Sequence, residues 1–335
     1  MLLHDTIFPY GECRANMLIR QEEIAMSDRV CCVCYLPVGD EARSIGGRCF
    51  CETHYGKVTQ SRRALWGATL VAVVGLLVYV LLVEGIVALT KPALRGGLLV
   101  AVGVLVALVP AILWLVVFYL QDRIEPEPKG YVLGLFVLGG FLGLTIGLPL
   151  RRALSLIPMS LTPSRAVIVE LLRSILIMGF SQEYLKYAAV RYTVYNSPEF
   201  DERVDGIVYG AAAALGFATA LNLDYIIRSG GVLLGVAVIR VTITALAQAS
   251  FSGVMGYFLG RAKFENMGRW WLPVGLALVS VLNGLVTFLL GEASTAGLGY
   301  TPIYALIVVA VVAVLTFSAL FIVIRRVNAA TLAGA

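Results

Sequence analysis

The chain has 335 residues, of which 59% are apolar and only 14% charged, and its formal net charge is +5. This balance lies outside the range of soluble domains and predicts a polytopic membrane protein. All 6 cysteines and both histidines lie in the first 54 residues. Zinc sites generally use cysteine or histidine, so a metal site among the later apolar segments would have to rely on oxygen ligands alone.

The polar N-terminal region divides into two parts. Residues 1–30 show no clear periodicity and predict a flexible tail, in which Met17 and Met26 are alternative starts to Met1. Residues 31–64 contain a cysteine cluster and a basic linker. They predict a small metal-binding module ahead of the apolar segments.

Two pairs of metal-ligating residues share one spacing. Two residues separate Cys31 from Cys34, and two residues also separate Cys51 from His54. Sixteen residues lie between the two pairs. A two-residue turn lets a pair of side chains converge on one ion, and two such pairs suit one tetrahedral zinc. The pattern resembles a zinc ribbon or half-LIM knuckle. Four protein ligands leave no position for a catalytic water, so we expect a structural zinc and a surface where a cytoplasmic protein docks.

Other ligand choices stay open at this module. Cys49 could replace Cys51, and Cys32 could replace Cys31, because spacing alone does not choose between them. The alternative to zinc is a set of unligated thiols in a loose segment. The basic residues nearby fit the anionic membrane surface, and no nucleic-acid partner is expected.

Eight apolar runs follow, each long enough to span a hydrocarbon core of roughly 30 Å. They predict an all-α bundle of about eight transmembrane helices over residues 65–326, followed by a C-terminal tail at 327–335. The runs are 65–89, 96–120, 130–150, 166–192, 204–227, 232–259, 271–291 and 302–324.

The lysines and arginines near the ends of these runs predict the orientation of the chain. The side that holds both termini has 11 of them, and the opposite side has 6. The positive-inside rule therefore predicts cytoplasmic termini. We expect the membrane to be a prokaryotic cytoplasmic membrane. The cysteines then face a reducing compartment, which argues for metal binding and against a disulfide.

Several ionisable residues lie within the apolar runs, where they are costly and so mark candidate functional positions. We expect two ion pairs that hold the bundle together, one between Glu183 and Lys186 and the other between Asp224 and Arg240. Paired interior charges are also compatible with a polar pathway, so a transporter or channel is a third alternative. The sequence shows no inverted repeat in support of it.

Five segments of the chain resemble the PrsW family of intramembrane proteases. The resemblance covers roughly residues 100–325, so the N-terminal knuckle and the first membrane helix are additions. The segments are YLQDRIEPEP at 119–128, SQEYLK at 181–186, FDERVDGIVYGA at 200–211, LGFATALN at 215–222 and GYFLGRAKF at 256–264. The resemblance implies a helical bundle and a metal-dependent peptidase that cuts within or next to membrane helices.

The family pattern implies a set of reactive residues. It has a Glu-Glu pair with a lysine three residues on, a Glu-Asn after the GFAT run, and a histidine on each of the next two helices. Carboxylates and imidazoles would hold zinc, and one carboxylate would take the proton of its bound water.

This chain departs from that pattern at most of these positions. The Glu-Glu pair is Gln182-Glu183, and the glutamate before Asn222 is Leu221. The two histidine positions hold Gln248 and Asn283. Lys186 is kept. The family also has an aspartate four residues after the position of Asn283, and this chain has Thr287 there. Amides are poor zinc ligands and leucine is none, so the surviving carboxylate cannot by itself assemble a three-ligand zinc site.

We therefore expect a catalytically inactive pseudoprotease that binds or regulates membrane-protein helices or membrane-bound partners. Asn222, Gln248 and Asn283 would then form hydrogen bonds between helices in place of a metal site. The alternative is an active metalloprotease with a displaced site. In that case Glu183 and Asp224 would be the oxygen ligands, because Asp224 lies about one helical turn after Leu221.

Overall fold

A computed structural model describes residues 30–31, 34, 36–39, 42–45, 48–59, 63–90, 94–121, 127–155, 163–230, 234–295 and 302–333. The predicted tail, apart from Val30, lies outside these ranges. It includes all three possible starts, Met1, Met17 and Met26. Cys32 also lies outside the described ranges.

A small hairpin and a series of helices make up the described chain. In chain order the elements are β1 (Arg43–Ile45), β2 (Arg48–Phe50), α1 (Glu52–Thr59), α2 (Arg63–Thr90), α3 (Gly96–Tyr119), α4 (Lys129–Leu142), the π-helical turn π1 (Gly143–Gly147), α5 (Leu148–Ser155), α6 (Pro163–Arg173), the π-helical turn π2 (Ser174–Gly179), α7 (Phe180–Thr193), α8 (Asp205–Arg228), α9 (Leu234–Phe264), α10 (Trp271–Thr295) and α11 (Pro302–Ala333).

The predicted all-α membrane bundle is confirmed. In the described ranges, 7 helices are long and apolar enough to cross a membrane. The remaining predicted run, 166–192, is also helical, since α6, π2 and α7 follow one another without a break. Its charged residues exclude it from those seven by composition, and they include both members of the Glu183–Lys186 pair.

The last helix is longer than its apolar run. We predicted a helix over 302–324 and a tail at 327–335, whereas α11 continues to Ala333. Residues 325–333 contain neither glycine nor proline, and alanine and leucine favour helix. The helix thus continues into the predicted tail, because hydrophobicity marks the membrane thickness and not the end of the helix.

Helix α8 is the centre of the bundle. In its apolar window 83% of the residues are buried, against 11% in α2, which faces outward. Small residues let α4 approach it closely. A methyl group on Gly216 would collide with the Phe136 carbonyl, and one on Gly139 would collide with the Ala213 carbonyl. This is the close contact that glycine and alanine permit between membrane helices.

The N-terminal module is a hairpin followed by a short helix. Strands β1 and β2 pair antiparallel, and an isolated bridge joins Val30 to Pro37 just ahead of them. The Cys31 amide donates to the Leu36 carbonyl at 2.9 Å, which closes the turn that carries Cys34.

Candidate functional site

Polar side chains from three helices meet inside the bundle. Gln182, Glu183 and Lys186 come from α7, Gln248 and Ser252 from α9, and Asn283 from α10, and each is at most 6% exposed. Five of the family positions are thus brought together, namely Gln182, Glu183, Lys186, Gln248 and Asn283. We call this group the buried polar cluster.

Glu183 is at the centre of the buried polar cluster. Its Oε1 accepts a hydrogen bond from Lys186 Nζ at 2.5 Å and one from Asn283 Nδ2 at 2.6 Å. Its Oε2 accepts a hydrogen bond from Ser252 Oγ at 2.9 Å. Both carboxylate oxygens therefore have donors, as a buried carboxylate requires.

Amide side chains close the network around this ion pair. Lys186 Nζ also donates to Gln248 Oε1 at 2.5 Å, and Gln248 Nε2 donates to Asn283 Oδ1 at 3.2 Å. Asn283 Nδ2 lies 3.5 Å from Gln182 Oε1, and Thr287 Oγ1 donates to Asn283 Oδ1 at 3.3 Å. The donors and acceptors match each other, so the cluster satisfies its own hydrogen bonds.

The charges of the cluster also balance. One carboxylate faces one ammonium, and the Lys186 ammonium also lies 5.7 Å from the centre of the Phe217 ring. Buried charges are tolerated when they are paired and hydrogen bonded, and an aromatic face adds to the stabilisation of a cation. Glu183 and Lys186 form an ion pair in the structure, as the sequence predicted.

Glycines bring α10 against π2 and α7 beside the cluster. A methyl group on Gly179 would collide with the Ser280 carbonyl, and one on Gly284 would collide with the backbone of Ile175. This contact carries Asn283, next to Gly284, within reach of Glu183. The π-helical turn directly before α7 is a feature often found beside functional sites.

Leu221 and Asn222 lie outside the network. Asn222 Oδ1 accepts a hydrogen bond from Thr244 Oγ1 at 2.9 Å, and its Nδ2 donates to the Val241 carbonyl at 3.4 Å. Thr244 precedes Gln248 by one turn of α9, so this link is adjacent to the buried polar cluster without bonding to it. Leu221 is partly buried and has no group that could bond to a metal.

The predicted pairing of Asp224 with Arg240 is wrong. Asp224 pairs with Arg152 and with Arg228, at 2.8 Å in each case. Arg240 instead stacks on the Tyr225 ring at 3.9 Å and donates to the Leu290 carbonyl. Adjacent residues on α8 point about 100° apart, so Tyr225 faces α9 while Asp224 faces α5.

The two carboxylates of the displaced metal site predicted as an alternative have different partners. That site needs Glu183 and Asp224 to act together, but the two carboxylates belong to separate hydrogen-bond networks. Among the described residues, a group of three or more cysteine, histidine or acidic side chains that could hold one metal ion occurs in the N-terminal module.

Four side chains of that module converge. Cys31, Cys34, Cys51 and His54 have ligand atoms that all lie within 4.8 Å of one another. His54 Nδ1 lies 3.1 Å from Cys51 Sγ and 3.6 Å from Cys31 Sγ, and the Sγ atoms of Cys34 and Cys51 are 3.9 Å apart. Thiolates about 2.3 Å from a tetrahedral zinc are about 3.8 Å apart, so these four residues fit that ion.

Local structure explains this convergence. The Tyr55 amide donates to the Cys51 carbonyl at 2.8 Å, so Cys51 begins the turn of α1 that carries His54. Cys49 lies on β2, is 4% exposed and is disulfide-bonded, whereas Cys31, Cys34 and Cys51 are outside disulfides. The disulfide differs from our expectation for a reducing compartment, and it leaves Cys49 out of the ligand set.

Sequence reasoning missed two buried polar contributions. Ser252 follows Gln248 by one turn of α9, and that spacing could have identified it as a neighbour of Glu183. Glu127, in the EPEP segment, is 3% exposed and accepts a hydrogen bond from the Tyr209 hydroxyl. Asp205 beside them accepts from the amides of Asp201 and Glu202 at 2.7 and 2.5 Å, which anchors the start of α8.

A cavity of about 290 Å³ lies between α2 and α3, away from these groups. Its lining is apolar and includes Val83, Val87, Val102 and Val106. None of the predicted site residues lines it.

Comparison with known proteins identifies the family. Residues 127–316 match the family described as PrsW family intramembrane metalloprotease. The chain is 33% identical to Protease PrsW of Geobacillus kaustophilus (strain HTA426) over 182 residues, which are 54% of this chain and 76% of the relative. It is 34% identical to Protease PrsW of Bacillus subtilis (strain 168) over 183 residues, 54% of this chain and 79% of the relative.

No solved structure shows significant similarity to the chain. The family match begins at Glu127, so it leaves out the cysteine module and the first two long helices, α2 and α3. It includes the whole buried polar cluster. This integral membrane protein belongs to the PrsW family of intramembrane metalloproteases.

Proposed function

We propose that this PrsW-family protein is a catalytically inactive pseudoprotease that binds or regulates membrane-protein partners. The observation that carries the proposal is the state of Glu183, whose two carboxylate oxygens already accept hydrogen bonds from Lys186, Asn283 and Ser252. A metal ligand and general base needs at least one oxygen directed at the ion or at its bound water.

The donor set of the buried polar cluster does not fit the family's metal. A catalytic zinc takes three protein ligands, drawn from histidine, cysteine and carboxylate. The cluster contains one carboxylate, two glutamine amides and one asparagine amide, and its positive charge is the Lys186 ammonium. We therefore derive no hydrolytic step through a metal at this position.

The proposed role is to hold a membrane-protein segment rather than to cut it. The hydrogen bonds of the buried polar cluster hold α7, α9 and α10 together. Under this proposal the bundle binds helices of partner proteins through lateral contacts. The N-terminal module would recruit a cytoplasmic partner to the same complex.

A cleavage assay tests the proposal. The purified protein, a Glu183→Ala variant and the Bacillus subtilis relative are each reconstituted with a helical membrane protein that the relative cleaves. We expect intact substrate by mass spectrometry with both forms of this protein and cleavage with the relative. Cleavage by the wild type that disappears in Glu183→Ala would overturn the proposal.

We also propose that the N-terminal module binds one structural zinc through Cys31, Cys34, Cys51 and His54. The convergence of the four ligand atoms supports it. The ion would link the turn after Val30 to the start of α1. Elemental analysis of the full chain should find one zinc per protein, and the doubly substituted Cys31→Ser, Cys34→Ser protein should contain none.

The proposed location is a prokaryotic cytoplasmic membrane. The distribution of lysine and arginine favours an orientation with the module and both termini in the cytoplasm. Fusing alkaline phosphatase, which is active outside the cytoplasm, to the C-terminus tests the orientation. An active fusion would reverse it.

A further inference from the structure

Four arginines gather at one end of the bundle, opposite the end that carries the N-terminal module. Arg151 and Arg152 lie at the end of the span Lys129–Ala153, and Arg228 ends the span Asp205–Arg228. Arg240 lies near the start of the following span, Ala237–Phe264. We call these four residues the arginine cluster. Its level is that of the phospholipid headgroups, because it lies where the apolar spans end.

One carboxylate pairs with this cluster in the part of the chain that the structure describes. Asp224 Oδ1 accepts hydrogen bonds from Arg152 Nη2 at 2.8 Å and from Arg228 Nε at 2.9 Å. The Arg152 and Arg228 side chains are 58% and 55% exposed, while Asp224 is 9% exposed. Asp224 is thus shared by the two outer arginines, to which it is hydrogen bonded.

Arg151 is the inner cation that stands without a hydrogen-bond partner among the described residues. It is partly buried and lies within electrostatic reach of both Asp224 and Arg228. Arg240 is also close enough to Arg151 for mutual repulsion. A partly desolvated guanidinium among like charges is unfavourable until an anion joins it.

Arg240 is held in position for such an anion. Its guanidinium stacks on the Tyr225 ring at 3.9 Å, and its Nη1 lies 3.4 Å from the Leu290 carbonyl. Stacking on an aromatic face restricts the side chain and so fixes the position of its charge. The cluster therefore combines two exposed arginines at its rim with two more buried ones.

We propose that the arginine cluster binds the phosphate group of an anionic phospholipid. Guanidinium groups match phosphate oxygens in geometry and are the side chains preferred for phosphate recognition. The bilayer supplies phosphate esters at this level all around the protein. The proposal concerns the opposite end of the bundle from the zinc module, and it does not depend on whether the buried polar cluster is catalytic.

The test measures the binding of phosphatidylglycerol to the full-length protein in detergent micelles by native mass spectrometry, with phosphatidylcholine as the uncharged comparison. Arg151→Gln and Arg240→Gln should each weaken phosphatidylglycerol binding roughly fivefold, as expected for one arginine near an anionic surface. Arg269→Gln is the matched control, since it removes one exposed positive charge at the opposite end and should leave binding unchanged. Arg151→Lys should retain most of the binding because it keeps the charge.

The outcomes separate the sources of the anion. Inorganic phosphate at millimolar concentration should not displace phosphatidylglycerol, and displacement would assign the site to free phosphate. Displacement by polyglutamate would assign it to an acidic polypeptide. Either result, or binding by Arg151→Gln equal to that of the wild type, would overturn the lipid proposal. If the glutamine variants do not fold, phosphatidylglycerol binding by the wild type and by Arg151→Lys is measured at increasing salt concentrations. Binding that does not change with salt would contradict a charge-based site.

Discussion

The Lys186 ammonium lies 2.5 Å from the Glu183 carboxylate, and the two side chains are 1% and 0% exposed. They belong to one face of α7, separated by three residues, so their contact is local to the helix. The side chains that complete the network come from α9 and α10. A single intrahelical ion pair is thus enclosed by the tertiary structure at the position where a metalloprotease of this family would need its reactive groups.

Removing one charge of this ion pair should destabilise the protein more than removing both charges. Lys186→Met leaves the buried Glu183 carboxylate unpaired and should lower the free energy of unfolding by about 3–5 kcal/mol. The double variant Lys186→Met, Glu183→Gln removes both charges and should recover much of that loss. Unfolding in detergent, followed by circular dichroism, measures both. A double variant no more stable than Lys186→Met would show that the lost lysine packing, and not the charge, was responsible.

Close helix contact at Gly139 should make it intolerant of a side chain. Gly139→Ala puts a methyl group against the Ala213 carbonyl of α8 and should cost about 1–3 kcal/mol through overpacking. Gly134→Ala on the same helix is the control, because nothing lies within 4 Å of the added methyl group. The thermal unfolding midpoint should fall for the first variant only. Equal midpoints would contradict the packing of α4 on α8.

Zinc content should distinguish the two neighbouring cysteines of the N-terminal module. Cys51→Ser removes a ligand that lies 3.1 Å from His54 Nδ1 and should abolish stoichiometric zinc. Cys49→Ser removes a disulfide-bonded residue outside the ligand set and should keep the zinc. Inductively coupled plasma mass spectrometry of the purified proteins gives the metal content. If Cys51→Ser retained zinc and Cys49→Ser lost it, Cys49 would be the zinc ligand and Cys51 would not.

Acid should weaken the contact between α9 and the loop before α8. Glu265 pairs with Arg261 and, at 3.1 Å, with Arg203, and the hydrogen bond from Arg261 lowers the pKa of the Glu265 carboxyl. A carboxyl with a lowered folded-state pKa stabilises the protein above its unfolded pKa, about 4.3, and this contribution is lost as the pH falls through the folded value.

Glu265→Gln should therefore flatten the acid side of the dependence of the unfolding midpoint on pH. The effect should be small because the pair is partly exposed. Glu199→Gln, in the same loop region, is the control and should follow the wild-type curve. A wild-type curve for Glu265→Gln would mean that the ion pair contributes nothing measurable to folding.

The N-terminal module illustrates what spacing can predict. The two pairs with two intervening residues identified the same four side chains that the fold brings together. Spacing did not decide the role of Cys49, because its alternation on β2 and its disulfide depend on the hairpin. A local turn can be predicted from sequence, but the side of a strand that faces a site cannot.

The errors in the bundle concern contacts between helices. Asp224 pairs with Arg152 and Arg228 instead of Arg240, and Ser252 joins Glu183 without having been predicted. Sequence separation does not define the rotation of one helix against another, and a rotation of about 100° moves a contact to the next residue.

By itself the sequence determined that this is a helical membrane protein, since apolar runs of membrane length leave no other fold that satisfies the backbone hydrogen bonds. It also determined which reactive side chains are present, and so which chemistry the interior can support. The tertiary structure alone decided how those side chains pair. Glycine contacts such as that of Gly179 with α10 set the helix distances and rotations, and these enclosed Glu183 among Lys186, Asn283 and Ser252.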